Sequence, residues 1–375
     1  MSRGFSIYLD AIRFLASVVV LVSHVGYPRY SNGDLIWIRE LNLGSDAVVL
    51  FFVLSGFVIA YTTLAKRRTG ATYAKARMSR LYSVLIPALV VTVLCDYVGR
   101  TINPEAYAGW WYNGEAVLHQ LSRALTFTTQ AAGDTLRVGT NGPFWSVAYE
   151  AWYYAAFGVA IFMRGWARIA VLAVMAVFAG LSILLLAPCW LAGMALYKMA
   201  TGSEAVTLNA RAAWMLAIGP WVVYAIFLAV DLPNFLSVIT YLAMGANVTP
   251  NEAFGFADEF LWNYVLAGLF AVHFLGVYHL AKEGHWVSPK AETWIRWLAG
   301  ATFSIYLFHY PVLTLLYAMP GYDAANPLHY GGAGVVTLVI CFLLAEISER
   351  RLSAWRTIMD KLFSAVRSPV KRAAV

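Results

Sequence analysis

One apolar stretch near the N-terminus, residues 5–27, constrains the fold of this chain more than any other segment. Its sequence, FSIYLDAIRFLASVVVLVSHVGY, is long enough to cross a bilayer as a helix. It nevertheless contains four polar residues at steps of three, four and seven: Asp10, Arg13, Ser17 and His24. Such steps place the four side chains along one helix face, which we call the polar stripe. Because a charged group near the bilayer centre costs at least about 2.5 kcal/mol, this face must meet other helices or a water-filled cavity.

The polar stripe allows two interpretations. It is either a buried zipper that only holds a helical bundle together, or part of a functional site. We favour function, because ionisable groups inside a membrane usually mark a site or a pathway. The composition, 61% hydrophobic and 13% charged, excludes a soluble globular domain. The three cysteines show no metal-ligand spacing, so no metal site is predicted.

The apolar segments predict an all-α, polytopic integral membrane bundle of about ten transmembrane helices. The predicted spans are residues 5–27, 44–65, 81–98, 143–162, 168–186, 188–200, 212–230, 259–281, 298–318 and 332–348. Lys and Arg crowd every second connection and the tail, whereas 231–258 and 319–331 contain neither. By the positive-inside rule, this alternation puts both termini in the cytoplasm. The net charge of +7 therefore reports orientation, and no nucleic-acid partner is predicted.

Two carboxylates accompany the stripe. Asp46 opens the second span on the side where the first span ends, so we expect it to approach His24. A carboxylate beside an imidazole orients the ring for work as a general base. Glu150 lies within the fourth span, where we expect it to be protonated or paired with Arg13 or His24.

Four further residues are assigned to a ligand site. Arg77 and Arg80, three apart at the mouth of the third span, lie on one helix face and can clamp a phosphate. Ordinary positive-inside residues would have the same pattern. Tyr306 and His309 lie within the ninth span, although a lone intramembrane histidine is often simply hydrogen-bonded to a neighbouring helix. The aromatic residues of the connection 99–142 fit either an interfacial belt or a stacking platform for a sugar.

Five motifs occur in a specific order along almost the whole chain. They are YLDAIRFLASVVVLVSH (8–24), FFVLSGFVIA (51–60), RMSRLYSVLIP (77–87), FWSVAYEAWYY (144–154) and FSIYLFHYPV (303–312). In these motifs the chain resembles the membrane-bound acyltransferase-3 family, whose members transfer acyl groups, commonly acetyl, to sugars and related acceptors. The resemblance implies a transmembrane acyltransferase domain over 1–348, followed by a basic cytoplasmic tail over 349–375.

The resemblance also implies roles for single residues. His24 would be the catalytic base, Arg13 and Glu150 essential polar partners, and Arg77 with Arg80 the arginine pair associated with coenzyme A. It implies acyl-CoA, commonly acetyl-CoA, as donor, a carbohydrate or small-molecule hydroxyl as acceptor, and the bacterial cytoplasmic (inner) membrane as location.

Three positions depart from the family pattern. Val49 stands where many members have an aspartate, which weakens the assignment of Asp46. Ala151 replaces a second acidic residue after Glu150, and the proline that often follows the arginine pair is displaced to Pro87. None of these changes removes His24, Arg13 or Glu150.

A different class of function also fits the residues. A secondary transporter or lipid flippase could use the polar stripe for proton coupling. The sequence shows no inverted repeat with paired broken spans, which disfavours that alternative.

Overall fold

The computed structural model describes residues 1–202, 205–282 and 287–372, with side chains up to residue 364. It is 80% helical, and the described ranges contain no strand beyond an isolated bridge between Val138 and Asn141. The prediction of an all-α fold is confirmed. The helices of eleven or more residues in these ranges are α1 Arg3–Val25, α2 Leu43–Ala60, α3 Gly70–Ile102, α4 Trp145–Phe162, α5 Gly165–Ala179, α6 Leu181–Thr201, α7 Ala210–Ala229, α8 Leu232–Ala243, α9 Phe260–Leu280, α10 Pro289–Ala299, α11 Thr302–Tyr317, α12 Pro327–Ile347 and α13 Leu352–Arg372.

Several of these helices are long and apolar enough to cross a membrane. Within the described residues seven helical segments qualify: Arg3–Val25, Leu43–Ala65, Gly70–Ile102, Leu181–Thr201, Ala210–Ala229, Pro250–Leu280 and Pro327–Ser364. Helices α10 and α11, bent by 46° at their junction, make an eighth if they form one broken span. The prediction of a polytopic helical membrane protein is thereby confirmed, while the count of ten spans stays a prediction.

The boundary between the predicted fifth and sixth spans was wrong. The predicted spans were 168–186 and 188–200, whereas the chain breaks at Gly180 and α6 then runs unbroken as Leu181–Thr201. Gly180 has φ of +81°, and an added Cβ would lie 2.9 Å from the backbone nitrogen of Gly133. A residue without a side chain is therefore required there. The sixth span is consequently full length, with Pro188 inside it.

Contacts divide the chain into two compact units, of which unit 1 comprises 1–66, 130–135 and 176–299. Its packing depends on a close approach of α2 and α6. A Cβ added at Gly56 would overlap the Trp190 carbonyl oxygen, and one added at Gly193 would overlap the Val53 carbonyl oxygen. Small residues at such a crossing let two membrane helices touch through their backbones.

Unit 2 comprises 67–129, 136–175 and 300–375, and its central element is the 33-residue α3. Helices α4, α11 and α13 all pack against α3. The segment that leads into α4 is fastened by buried hydrogen bonds, since Asp96 accepts from the Thr140 backbone N–H at 2.9 Å and from its hydroxyl at 2.6 Å. Asn141 donates to the Thr92 hydroxyl and to the Leu307 carbonyl, each at 3.0 Å. These bonds fix where α4, the helix of Glu150, begins.

Candidate active site

His24 lies near the end of α1 in unit 1 and is half-buried. Its Nδ1 is 2.7 Å from the Val20 carbonyl oxygen, one helical turn earlier. Because a carbonyl can only accept, Nδ1 carries the proton in this bond. In the neutral ring the basic nitrogen is then Nε2, and a histidine held in this way can take a proton from a substrate.

The surroundings of His24 include residues that the sequence analysis did not select. The Tyr27 ring lies 5.7 Å from the imidazole, and the guanidiniums of Arg29 and Arg39 lie 4.4 and 4.2 Å from that ring. Arg39 also donates to the Ser23 hydroxyl at 3.0 Å. These contacts bring cations from the connection after α1 to the His24 end of the helix. These residues follow α1 in the chain, so the residue spacing within α1 could not identify them.

The other end of the polar stripe is an ion-pair network. Asp10 pairs with Arg296 of α10 at 3.0 Å, and Arg296 also pairs with Glu292 at 2.9 Å. Glu292 in turn pairs with Arg3 at 2.5 Å. The expectation that the stripe meets another helix is confirmed at Asp10. Arg13, three residues further along the same helix, is half-buried.

Asp46 is held by two aromatic side chains. Tyr224 of α7 donates to one carboxylate oxygen at 2.6 Å, and the Trp262 indole of α9 donates to the other at 2.9 Å. The carboxylate is buried, and the expected pairing with His24 is not among its hydrogen bonds to described residues. Both oxygens already have donors from other helices, so Asp46 ties α2 to α7 and α9.

Glu150 lies on α4 in unit 2, within a group of hydroxyl residues. The Tyr154 hydroxyl, one turn further along, donates to Glu150 Oε1 at 2.5 Å. Tyr73 of α3 donates its hydroxyl to the Tyr154 carbonyl at 2.8 Å, which fixes α4 on α3. Tyr73 and Tyr154 were not among the predicted site residues, although Tyr154 closes one of the five motifs and lies on the Glu150 face.

Tyr306 and His309 lie on the neighbouring helix α11 and are both buried. The Tyr306 hydroxyl is 2.7 Å from the Ser146 hydroxyl of α4, one turn before Glu150. The Nδ1–H of His309 donates to the Ile305 carbonyl at 2.8 Å, so its tautomer matches that of His24. The structure therefore connects Tyr306 with the Glu150 helix.

Arg77 and Arg80, a matched pair in the sequence, have different surroundings. Arg80 forms an ion pair with Glu349 at 2.7 Å, and the Glu349 side chain is only 4% exposed. The Arg77 guanidinium instead lies 5.8 Å from the Tyr154 ring. Its Nε is buried and has no hydrogen-bond partner in the part of the chain that the structure describes. Arg77 therefore has an unused N–H donor, whereas Arg80 is paired with a carboxylate.

Comparison with known proteins places the chain in a family. A family model described as an acyltransferase domain, of the acyltransferase-3 type, matches residues 6–346. The chain belongs to this family. The resemblance inferred from the five motifs is confirmed. No solved structure matches the chain. Among its described residues, no group of three or more His, Cys, Asp or Glu side chains is placed to hold a metal ion.

Two curated relatives extend this result. Peptidoglycan O-acetyltransferase OatA of Listeria monocytogenes is 22% identical over 379 residues, covering 93% of this chain and 55% of OatA. Acyltransferase MdmB of Streptomyces mycarofaciens is 26% identical over 153 residues, covering 40% of this chain and 37% of MdmB. The chain thus spans about half the length of OatA and aligns with little more than a third of MdmB.

Proposed function

We propose that this acyltransferase-3 family member is an integral membrane O-acyltransferase. It moves an acyl group, acetyl in the simplest case, from acyl-CoA to a hydroxyl of a sugar, polysaccharide or lipid-linked glycan. The observation that carries this proposal is His24, whose Nδ1–H donates to the Val20 carbonyl and so makes Nε2 the basic nitrogen. The name of OatA supports a carbohydrate acceptor and acetyl as the transferred group.

The proposed reaction needs one proton carrier. His24 Nε2 accepts the proton of the acceptor hydroxyl while its oxygen attacks the thioester carbonyl. The C–S bond then breaks, and the departing coenzyme A thiolate takes a proton from the imidazolium, which restores the neutral ring. Arg13 is assigned to stabilise negative charge on the carbonyl oxygen, and Glu150 is assigned as the second essential polar residue of the family.

The donor assignment rests on unit 2. Arg77 is proposed to bind a phosphate of coenzyme A, because its buried Nε has no partner among the described residues. Arg80, Tyr306 and His309 are proposed to shape the same donor site, with Arg80 held by Glu349. We further place the protein in the bacterial cytoplasmic membrane, with both termini in the cytoplasm, a transmembrane domain over 1–348 and a basic tail over 349–375.

The proposal is tested with His24→Ala. The purified variant in detergent should lose about two to four orders of magnitude in transfer of labelled acetyl from acetyl-CoA, because a general base is worth that much. Its affinity for coenzyme A should persist, since the imidazole acts on the acceptor. The rate of the unchanged protein should rise with pH as the imidazole loses its proton.

A matched histidine controls for the substitution itself. His119 is exposed on the short helix Val117–Leu125, and His119→Ala should leave the rate unchanged. If His24→Ala keeps most of its turnover, or loses it only by failing to fold, His24 is structural and His309 becomes the next candidate base. If the unchanged protein does not consume acetyl-CoA with any acceptor supplied, the proposed donor is wrong and the proposed function fails in this form.

A further inference from the structure

Helix α13, which the sequence analysis placed in a basic tail, lies along α3 in unit 2. Two ion pairs fix its register. Arg80 of α3 pairs with Glu349, just before α13, at 2.7 Å, and Lys75 of α3 pairs with Asp360 of α13 at 2.5 Å. From Arg80 back to Lys75 on α3, the paired carboxylate moves forward along the chain from Glu349 to Asp360, so the two segments run antiparallel.

This register brings a further arginine to Arg77. Arg356 lies between Glu349 and Asp360 along the chain, as Arg77 lies between Lys75 and Arg80, so both arginines lie in the segments that the two ion pairs bracket. It also lies four residues before Asp360, on the same side of α13 as that ion-paired carboxylate. Arg356 itself is exposed.

A third guanidinium comes from the turn before α3. Arg67 adopts a left-handed conformation with φ of +46°, and Arg68 follows it, half-buried. Burial and the nearby charges of Arg77 and Arg356 lower the pKa of Arg68. The Arg68 guanidinium is therefore close enough to those of Arg77 and Arg356 for their positive charges to repel it.

Within the described ranges, none of these three arginines forms an ion pair with a carboxylate, whereas Lys75 and Arg80 beside them each have one. Three like charges repel one another, and holding them together is favourable only if an anion offsets that repulsion. Guanidinium groups bind phosphate oxygens through paired N–H donors, and the partnerless Nε of Arg77 supplies such a donor.

We propose that Arg68, Arg77 and Arg356 form a phosphate-binding site that helix α13 completes. The phosphates of coenzyme A are the first source, and in that form the inference rests on the proposed function. The headgroup of an anionic lipid offers the same chemistry.

The test uses the full chain purified in detergent and the variant Arg356→Gln. Calorimetric titration with coenzyme A should show affinity about tenfold weaker than for the unchanged protein, because one charge-assisted contact is lost. Arg356→Lys should fall between the two, since it keeps the charge but loses the planar fork. The matched control is Lys361→Gln, which removes the same charge from the same exposed helix about 140° away from Arg356. Its affinity should not change.

A second titration identifies the source of the phosphate. The same variants are reconstituted in nanodiscs of phosphatidylcholine with and without phosphatidylglycerol, and retention of the anionic lipid is measured by mass spectrometry. Loss of lipid retention alone in Arg356→Gln supports a phosphate site filled by a lipid. If Arg356→Gln and Lys361→Gln behave alike with both ligands, the proposed site is overturned. If the unchanged protein neither binds coenzyme A nor transfers acetyl, the proposed function fails, and the lipid experiment still decides the site.

Discussion

Replacing Arg80 by glutamine should destabilise the protein, whereas the same change at Arg77 should weaken donor binding. The two arginines lie one turn apart on α3 but have different partners. Arg80 neutralises the buried Glu349 at 2.7 Å, while Arg77 has no carboxylate partner among the described residues. The Arg80→Gln variant therefore leaves a carboxylate buried without its counter-ion.

The expected loss follows from the geometry of Glu349. Breaking a buried ion pair by removing one partner costs about 3–5 kcal/mol. Arg80 is 25% exposed, so solvent already screens part of this pair, and Glu349 Oε2 keeps the backbone N–H donors of Phe303 and Ser304, each at 2.9 Å. Both facts reduce the free-energy loss to about 2–3 kcal/mol. At about 2 °C per kcal/mol, the unfolding midpoint should fall by about 4–6 °C.

The assay is thermal unfolding of the detergent-solubilised chain, carried out as a double-mutant cycle. Arg80→Gln, Glu349→Gln and the double variant are compared, and the double variant should unfold no earlier than Arg80→Gln, because it buries no unpaired charge. Arg77→Gln serves as the matched control, with an unchanged midpoint and weaker coenzyme A binding. Equal midpoint shifts for the two arginine variants, or simply additive effects of the Arg80 and Glu349 changes, would refute the reasoning.

Two further predictions concern topology and packing. A reporter fused after Arg372 should read cytoplasmic and one inserted near Asn251 external, because basic connections stay inside; the reverse reading at either site would contradict the ten-span topology. Gly193→Ala should lower the unfolding midpoint, since the added Cβ overlaps the Val53 carbonyl where α2 meets α6. Gly219→Ala in α7 is its control, because open space surrounds that position. A similar midpoint for both variants would show that the helix crossing tolerates a side chain.

Helices were predictable wherever one periodicity governs a segment. The steps from Asp10 to His24 along α1 indicated both the helix and the need for a polar neighbour, and the structure supplies Arg296. The break between α5 and α6 was predicted at residue 187, whereas it lies at Gly180. Glycine commonly ends a helix, but the close approach to Gly133 that excludes a side chain at position 180 is a tertiary contact that no local pattern reports.

The candidate site was predictable to the level of residue types but not of their partners. Asp46 was expected beside an imidazole, yet Tyr224 and Trp262 reach it from helices far along the chain. Arg77 and Arg80 are indistinguishable by spacing, and only the fold shows which of them has a carboxylate partner. Spacing describes one helix, whereas pairing depends on which helices become neighbours.

The Arg80–Glu349 pair also sets an order of events during synthesis. Glu349 leaves the ribosome about 270 residues after Arg80, which at 5–20 residues per second is a delay of roughly 15–50 s. Throughout that interval Arg80 must stay hydrated or bound to a temporary anion. All residues of unit 1 have been made by position 299, whereas unit 2 still needs 300–375. A chaperone or protease acting on the nascent chain would therefore meet a unit 1 whose residues are all made and a unit 2 that still lacks residues 300–375.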